Sequence, residues 1–222
     1  MTFSTPGELL TLTRTVVAGA EALLMQAKTG ARAAVAEAGG IDGAQHAAHG
    51  LAWVATYVEA LRQMDRWAEQ LHAQNKLGEI EQLILRGALG EYCAQLVGGI
   101  PMSQGEIVRL PDLGVTTSDV ARFASGIIAD VIAEGFEQSA KNRLAQLIAA
   151  NPNAVTFGEI GLDSEMGLVR DQFRKFAADR VTPFAHEWHL KDQLIPLAVV
   201  EEMGRLGVFG LTVPESYGGA GL

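Results

Sequence analysis

The chain has 222 residues, of which 48% are apolar and only 6% are aromatic, so its core must rest on Ala, Leu, Val and Ile. That composition favours packed α-helices over a β-sandwich. The net charge is −9 and no basic patch occurs along the chain, which excludes nucleic-acid binding as a function.

The first predicted helix begins with a capping box and ends at a pair of glycines. Thr5 is the N-cap, Pro6 occupies the first helical position, and Glu8 follows three residues after the cap. These residue types satisfy the amide groups that a helix start leaves without partners. The helical pattern runs to about Lys28, and an alanine-rich continuation extends it to the glycines at 39–40.

The second predicted helix, residues 44–72, is apolar over most of its circumference. Its apolar residues repeat at spacings of three and four. One stripe contains Leu51, Val54, Val58, Leu61, Met64 and Ala68, and a second stripe, which shares Met64, contains Trp53, Tyr57, Ala60, Met64, Trp67 and Leu71. Because so wide an apolar surface has to be covered, we expect this helix to lie between neighbours with Trp53 and Trp67 buried. A third helix is predicted over residues 79–97.

Residues 98–115 interrupt the helical pattern. Pro101 and Pro111 flank a short apolar piece at 107–110, and no Asn-Gly turn signals a β-hairpin. We therefore predict an ordered loop, of a length that is often functional inside compact domains. A fourth helix is predicted to begin with Thr117 or Ser118 as its N-cap and to run to about residue 150, with a bend at Gly135.

The sequence Asn-Pro-Asn at 151–153 ends the fourth helix and opens an irregular piece that runs to Gly161. The predicted domains are therefore residues 1–150 and 151–222. In the second domain Asp163 caps a helix that Pro183 should end or kink, and Pro196 opens a last short helix. The predicted fold class is all-α, with a helical bundle followed by a second helical domain.

Motifs that carry chemistry are scarce. His46 and His49 lie one helical turn apart, but no third ligand has a matching spacing, so a structural role is favoured over a metal site. Cys93, the single cysteine, lies in a helical pattern and is predicted to be an inert core thiol. The first residues lack a secretory pattern and no apolar run reaches ~18 residues, so we expect a cytoplasmic protein without a membrane segment.

The closing stretch, residues 206–222, carries the most specific pattern. An apolar run leads into a proline–acid–serine–tyrosine loop that ends in Tyr217, Gly218 and Gly219. This order resembles the N-terminal helical domain of the acyl-CoA dehydrogenases. The resemblance covers residues 168–222, and the other matching residues are Val169, Arg170, Phe173, Phe176, Ala177, Val181, Thr182, Pro183, Ala185, Asp192, Ile195, Pro196, Glu202, Met203 and Gly204.

The resemblance implies the front part of a larger flavoenzyme. Members of that family oxidise an acyl-CoA thioester at Cα–Cβ, with a glutamate as base, FAD as hydride acceptor and an electron-transfer flavoprotein as partner. It implies that the base, most flavin contacts and most CoA contacts lie beyond residue 222, so that no catalytic residue is expected here. Tyr217, Gly218 and Gly219 match a family segment near the acyl pocket, and a plain interdomain turn is the equal alternative.

The first 150 residues extend beyond the common family pattern. A long helical extension and the sequence at 98–114 both resemble the subfamily that oxidises (2S)-methylsuccinyl-CoA to mesaconyl-CoA in the ethylmalonyl-CoA pathway. Such a substrate has a free carboxylate, and Arg109 is the candidate that would bind it, because arginine pairs with carboxylates through two hydrogen bonds. An exposed arginine on a linker is the alternative.

Other interpretations of the extension stay open. It can be an oligomerisation or docking bundle on an ordinary acyl-CoA dehydrogenase, which predicts a homo-oligomer. The whole chain can also be a non-enzymatic helical interaction module that shares a domain with the family. Bound flavin in the complete protein separates the enzyme from the module.

Overall fold

The computed structural model describes residues 5–135, 137–152 and 156–222. The chain divides into two compact units, Met1–Gly161 (unit 1) and Leu162–Leu222 (unit 2). Nearly all of the regular structure is helical, which confirms the predicted all-α class. No helix among the described residues has the length and hydropathy that crossing a membrane requires.

The first three helices of unit 1 are long, and they begin and end close to where the sequence predicts. The predicted capping box is present, because Thr5 Oγ1 accepts from the Glu8 amide at 3.3 Å and the Glu8 carboxylate accepts from the Thr5 amide at 3.1 Å. The helices are α1 (Pro6–Glu37), α2 (Gln45–Ala73), α3 (Glu79–Gly98), α4 (Thr117–Phe123), α5 (Ile127–Glu134) and α6 (Gln138–Ala149), with 3₁₀ turns at Ile41–Ala44 and Leu110–Leu113.

The core of unit 1 lies where α1 and α3 cover the apolar surface of α2. Val54, Val58 and Leu61 of α2 are at most 1% exposed. The prediction that Trp53 and Trp67 are buried is wrong, since both are only partly buried at the margin of this core. Each indole N–H needs an acceptor, and the acceptors lie at the surface: Trp53 donates to His49 Nε2 at 3.0 Å and Trp67 to the Glu159 carbonyl at 2.9 Å.

The predicted loop at 98–115 contains a small antiparallel hairpin, β1 (Ile100–Ser103) and β2 (Glu106–Val108). The expectation that no hairpin is present is therefore wrong. Ile100 pairs with Val108 and both are buried, so the pair contributes to the core of unit 1. Pro101 in the first strand obscured the pattern, because proline is confined to edge strands and has no amide to donate.

The predicted fourth helix is three separate helices, α4, α5 and α6. Its first break falls at Gly126, whose φ of 57° is left-handed. Its second follows Gly135, where a Cβ added to that glycine would lie 2.8 Å from Gly90 Cα. This close approach of α5 to α3 needs glycine on both helices, and no local sequence signal shows it.

Unit 2 contains α7 (Ser164–Arg180), α8 (Thr182–Leu190) and α9 (Leu197–Arg205), with 3₁₀ turns at Val208–Gly210 and Glu215–Tyr217. The predicted cap is present, because Asp163 Oδ1 accepts from the Met166 amide at 2.8 Å. Pro183 stands in the first turn of α8 and Pro196 is the N-cap of α9, as predicted. Among the described residues of this unit only Val199 is fully buried.

Candidate functional site

The C-terminal loop presents Tyr217 at its apex. The chain folds back on itself, with the Gly221 amide donating to the Val213 carbonyl at 2.9 Å and the Leu222 amide to the Leu211 carbonyl at 2.8 Å. Tyr217 ends a 3₁₀ turn and is 82% exposed. The loop is therefore closed by its own backbone and offers a phenol ring to a ligand or to another surface.

The glycines after Tyr217 are required by the backbone. Gly218 has a φ of 84°, a left-handed conformation that favours glycine. A Cβ on Gly219 would lie 2.0 Å from the Val213 carbonyl oxygen, so any side chain there would collide with the backbone that leads into the turn. The glycine pair sets the shape of the turn, and Tyr217 is the side chain in it that can contact a ligand.

Arg109 lies in unit 1, directly after β2. Its amide donates to Asp112 Oδ2 at 2.7 Å, which fixes the backbone at the start of the 3₁₀ turn. The aliphatic stem lies over Gly99, since a Cβ added there would be 3.2 Å from Arg109 Cγ. The residue is exposed, and in the part of the chain that the structure describes its guanidinium takes part in no ion pair.

His46 and His49 of α2 contact other side chains of unit 1. His46 Nδ1 lies 3.3 Å from Glu106 Oε1, and His46 Nε2 lies 3.7 Å from Asp112 Oδ2, so this ring joins α2 to the hairpin segment. His49 accepts from the indole of Trp53. Within the described ranges no three His, Cys, Asp or Glu side chains are placed to hold a metal ion.

Cys93 is fully buried in α3, as the helical pattern predicts. Burial alone raises the pKa of its thiol to about 12, because the thiolate would lose its hydration. Only the thiolate is a strong nucleophile, so Cys93 is inert near neutral pH.

The buried carboxylate of Glu81 was not identified in the sequence analysis. Glu81 is a buried carboxylate in α3, 4% exposed, and it accepts the Glu159 amide at 2.7 Å. A signal was available, because Glu81 precedes Leu85 by four residues and so lies on the buried face of its helix. A carboxylate in such a position needs a partner.

Comparison with known proteins places the closing helices in a family. Residues 163–222 match the family described as acyl-CoA dehydrogenase, N-terminal domain. Over 221 residues the chain is 44% identical to (2S)-methylsuccinyl-CoA dehydrogenase of Cereibacter sphaeroides, an alignment that takes in 97% of this chain. Residues 163–222 belong to the acyl-CoA dehydrogenase family. The resemblance seen in residues 168–222 is confirmed.

Other acyl-CoA dehydrogenases are similar over shorter stretches. Glutaryl-CoA dehydrogenase of Desulfococcus multivorans is 33% identical over 64 residues, which is 29% of this chain and 16% of that protein. An acyl-CoA dehydrogenase of Bacillus subtilis is 37% identical over 57 residues, 26% of this chain and 15% of that protein. The chain spans about 40% of the length of the Cereibacter sphaeroides protein, and that alignment includes the helical extension.

Proposed function

We propose that this chain is the N-terminal portion of an FAD-dependent acyl-CoA dehydrogenase that oxidises (2S)-methylsuccinyl-CoA to mesaconyl-CoA. The supporting observation is 44% identity to a (2S)-methylsuccinyl-CoA dehydrogenase across 97% of the chain, because that alignment includes the extension as well as the family domain. The proposal includes an electron-transfer flavoprotein as electron acceptor, which the resemblance to the family implies. It also includes a homo-oligomeric enzyme and a cytoplasmic location.

The oxidation removes a proton from Cα and a hydride from Cβ of the acyl chain, and FAD supplies the hydride acceptor. The described residues of unit 2 expose large apolar side chains, with Leu168 73%, Leu194 92% and Leu197 70% exposed. Exposed apolar surface of this kind marks a region that another part of a protein covers.

We therefore assign the flavin site and the carboxylate base mainly to parts of the enzyme beyond residue 222. Unit 2 is the proposed wall and scaffold for them, and Tyr217, Gly218 and Gly219 are the proposed part of that wall near the acyl chain. The exposed phenol of Tyr217 and the rigid glycine turn behind it support this role. The domains of the proposal are the extension, 1–150, and the family domain, 151–222.

The test uses the complete protein, purified with its flavin. With (2S)-methylsuccinyl-CoA and an artificial electron acceptor, it is expected to reduce the acceptor and to form mesaconyl-CoA, identified by mass spectrometry. Residues 1–222 with added FAD are expected to give no turnover, because the base and the flavin contacts are assigned elsewhere. Faster oxidation of butyryl-CoA or glutaryl-CoA would overturn the substrate assignment, and turnover by residues 1–222 would overturn the assignment of roles.

Arg109 is the proposed partner of the free carboxylate of the substrate. Its guanidinium is exposed and without an ion pair among the described residues, so it is available to an anionic ligand. The bond from its amide to Asp112 fixes the backbone from which the side chain extends. A charge-assisted contact of this kind contributes ~1.5–3 kcal/mol.

In the complete enzyme, Arg109→Met is expected to lower kcat/KM for methylsuccinyl-CoA by about tenfold or more and to leave butyryl-CoA unaffected, because only the first substrate carries the carboxylate. Arg109→Lys should recover part of the loss. Arg32→Met, which removes another exposed cation of unit 1, is the matched control and should change neither substrate. An equal loss for both substrates, or none, would remove Arg109 from substrate recognition.

A further inference from the structure

The chain leaves unit 1 through residues 157–161, called the exit strap. Side chains of α2 and α3 form hydrogen bonds with the backbone of this strap. Trp67 Nε1 donates to the Glu159 carbonyl at 2.9 Å, and Gln70 Nε2 donates to the Gly161 carbonyl at 2.6 Å. From the other helix, Glu81 Oε1 accepts the Glu159 amide at 2.7 Å. Both backbone groups of Glu159 are thus bonded to side chains far away in sequence.

Glu81 is the costly member of this set. A carboxylate that is 4% exposed loses most of its hydration, and such burial is unfavourable unless the charge is hydrogen-bonded. The short bond from the Glu159 amide is charge-assisted and offsets part of that loss. A surface ion pair adds to the set, with Lys76 Nζ 3.4 Å from Glu159 Oε2. An ion pair this exposed to solvent contributes little to stability.

Glycines shape the exit strap to fit its site. Gly158 has a φ of 78° and Gly161 a φ of 73°, left-handed conformations that side chains disfavour. A Cβ on Gly158 would lie 3.2 Å from Glu81 Oε1, and one on Gly161 would lie 3.4 Å from Gln70 Oε1. Glycine at these positions lets the backbone approach the side chains that bind it.

The chain has little free length after the exit strap. The Gly161 carbonyl is bonded to Gln70, and Asp163 is already the N-cap of α7, so only Leu162 lies between the last held residue and the next helix. We propose that Trp67, Gln70 and Glu81 form an anchor that holds residues 157–161 against unit 1 as an ordered strap rather than as a flexible linker. Release of the anchor would free the residues of the strap as additional linker.

The test is hydrogen exchange in the full-length protein, followed by mass spectrometry of a peptide that covers residues 156–162. Glu81→Ala removes the acceptor and is expected to speed exchange of the Glu159 amide by about tenfold or more, whereas Glu81→Gln keeps an oxygen acceptor and should stay near wild type. Lys76→Ala, which removes only the surface pair with the same residue, is the matched control and should leave the exchange unchanged.

A second variant separates release of the strap from general unfolding of α3. Trp67→Phe with Gln70→Ala removes the donors from α2, leaves Glu81 in place, and is expected to speed cleavage at 156–162 by added protease. Peptides from α1 report whether the core of unit 1 stays protected. The proposal is overturned if the wild-type strap exchanges as fast as an unstructured peptide. It is also overturned if the strap stays protected in both Glu81→Ala and the double variant.

Discussion

Replacing Gly30 with alanine is expected to destabilise unit 1 by about 3 kcal/mol, at the upper end of the cost of overpacking. A Cβ at this position would lie 1.9 Å from the Leu113 carbonyl oxygen and 2.9 Å from Gly114 Cα. Both are backbone atoms, which cannot rotate away as the end of a side chain could. The strain must therefore move α1 away from the 3₁₀ turn at Leu110–Leu113.

The free energy of unfolding, measured in urea by circular dichroism, checks this result. Gly7→Ala is the control in the same helix, because a Cβ there meets nothing within 4 Å. That change should stabilise the protein by ~0.5–1 kcal/mol through helix propensity. Similar urea midpoints for the two variants would show that α1 does not approach the turn so closely.

Leu61→Ala is expected to cost about 2–5 kcal/mol, because it removes a buried side chain and leaves a cavity. Leu61 is 0% exposed in the middle of α2, where neighbouring helices cover it. Since whole domains have net stabilities of only ~5–15 kcal/mol, this single change approaches the limit that unit 1 can withstand. The same unfolding measurement applies.

Met25→Ala is the control for Leu61→Ala. Met25 lies on α1 and is 62% exposed, so its truncation removes little buried surface and should stay within ~0.5 kcal/mol of wild type. Equal losses in the two variants would contradict the burial of α2. A loss at Leu61 below about 1 kcal/mol would mean that the site collapses around the cavity or is already loose.

The helix ends were predictable because their signals are local. Thr5, Pro6 and Glu8 specify the start of α1. Pro183 and Pro196 mark the starts of α8 and α9 to within a few residues. The hairpin was missed for the opposite reason, since its strands are short and one contains Pro101. The break after Gly135 falls where a bend was predicted, but the contact of Gly135 with Gly90 across unit 1 is not encoded by any local pattern.

The candidate site depended on a resemblance more than on spacing. No catalytic motif pointed to Tyr217 or Arg109, and the family likeness alone singled them out. The helical pattern marks Glu81 as a buried position, but the partners of the anchor could not be identified because they are distant in sequence. Trp67 and Glu159 are separated by 92 positions, and Glu81 and Glu159 by 78.

That separation has a consequence for synthesis on the ribosome. At ~5–20 residues per second, Glu159 follows Glu81 out of the ribosome by on the order of 4–16 seconds. During this interval α1, α2 and α3 can assemble while the Glu81 carboxylate still lacks the amide that binds it. In a nascent chain that pauses before residue 159, we therefore expect the Glu81 carboxylate to stay hydrated, because its burial without that amide would be unfavourable.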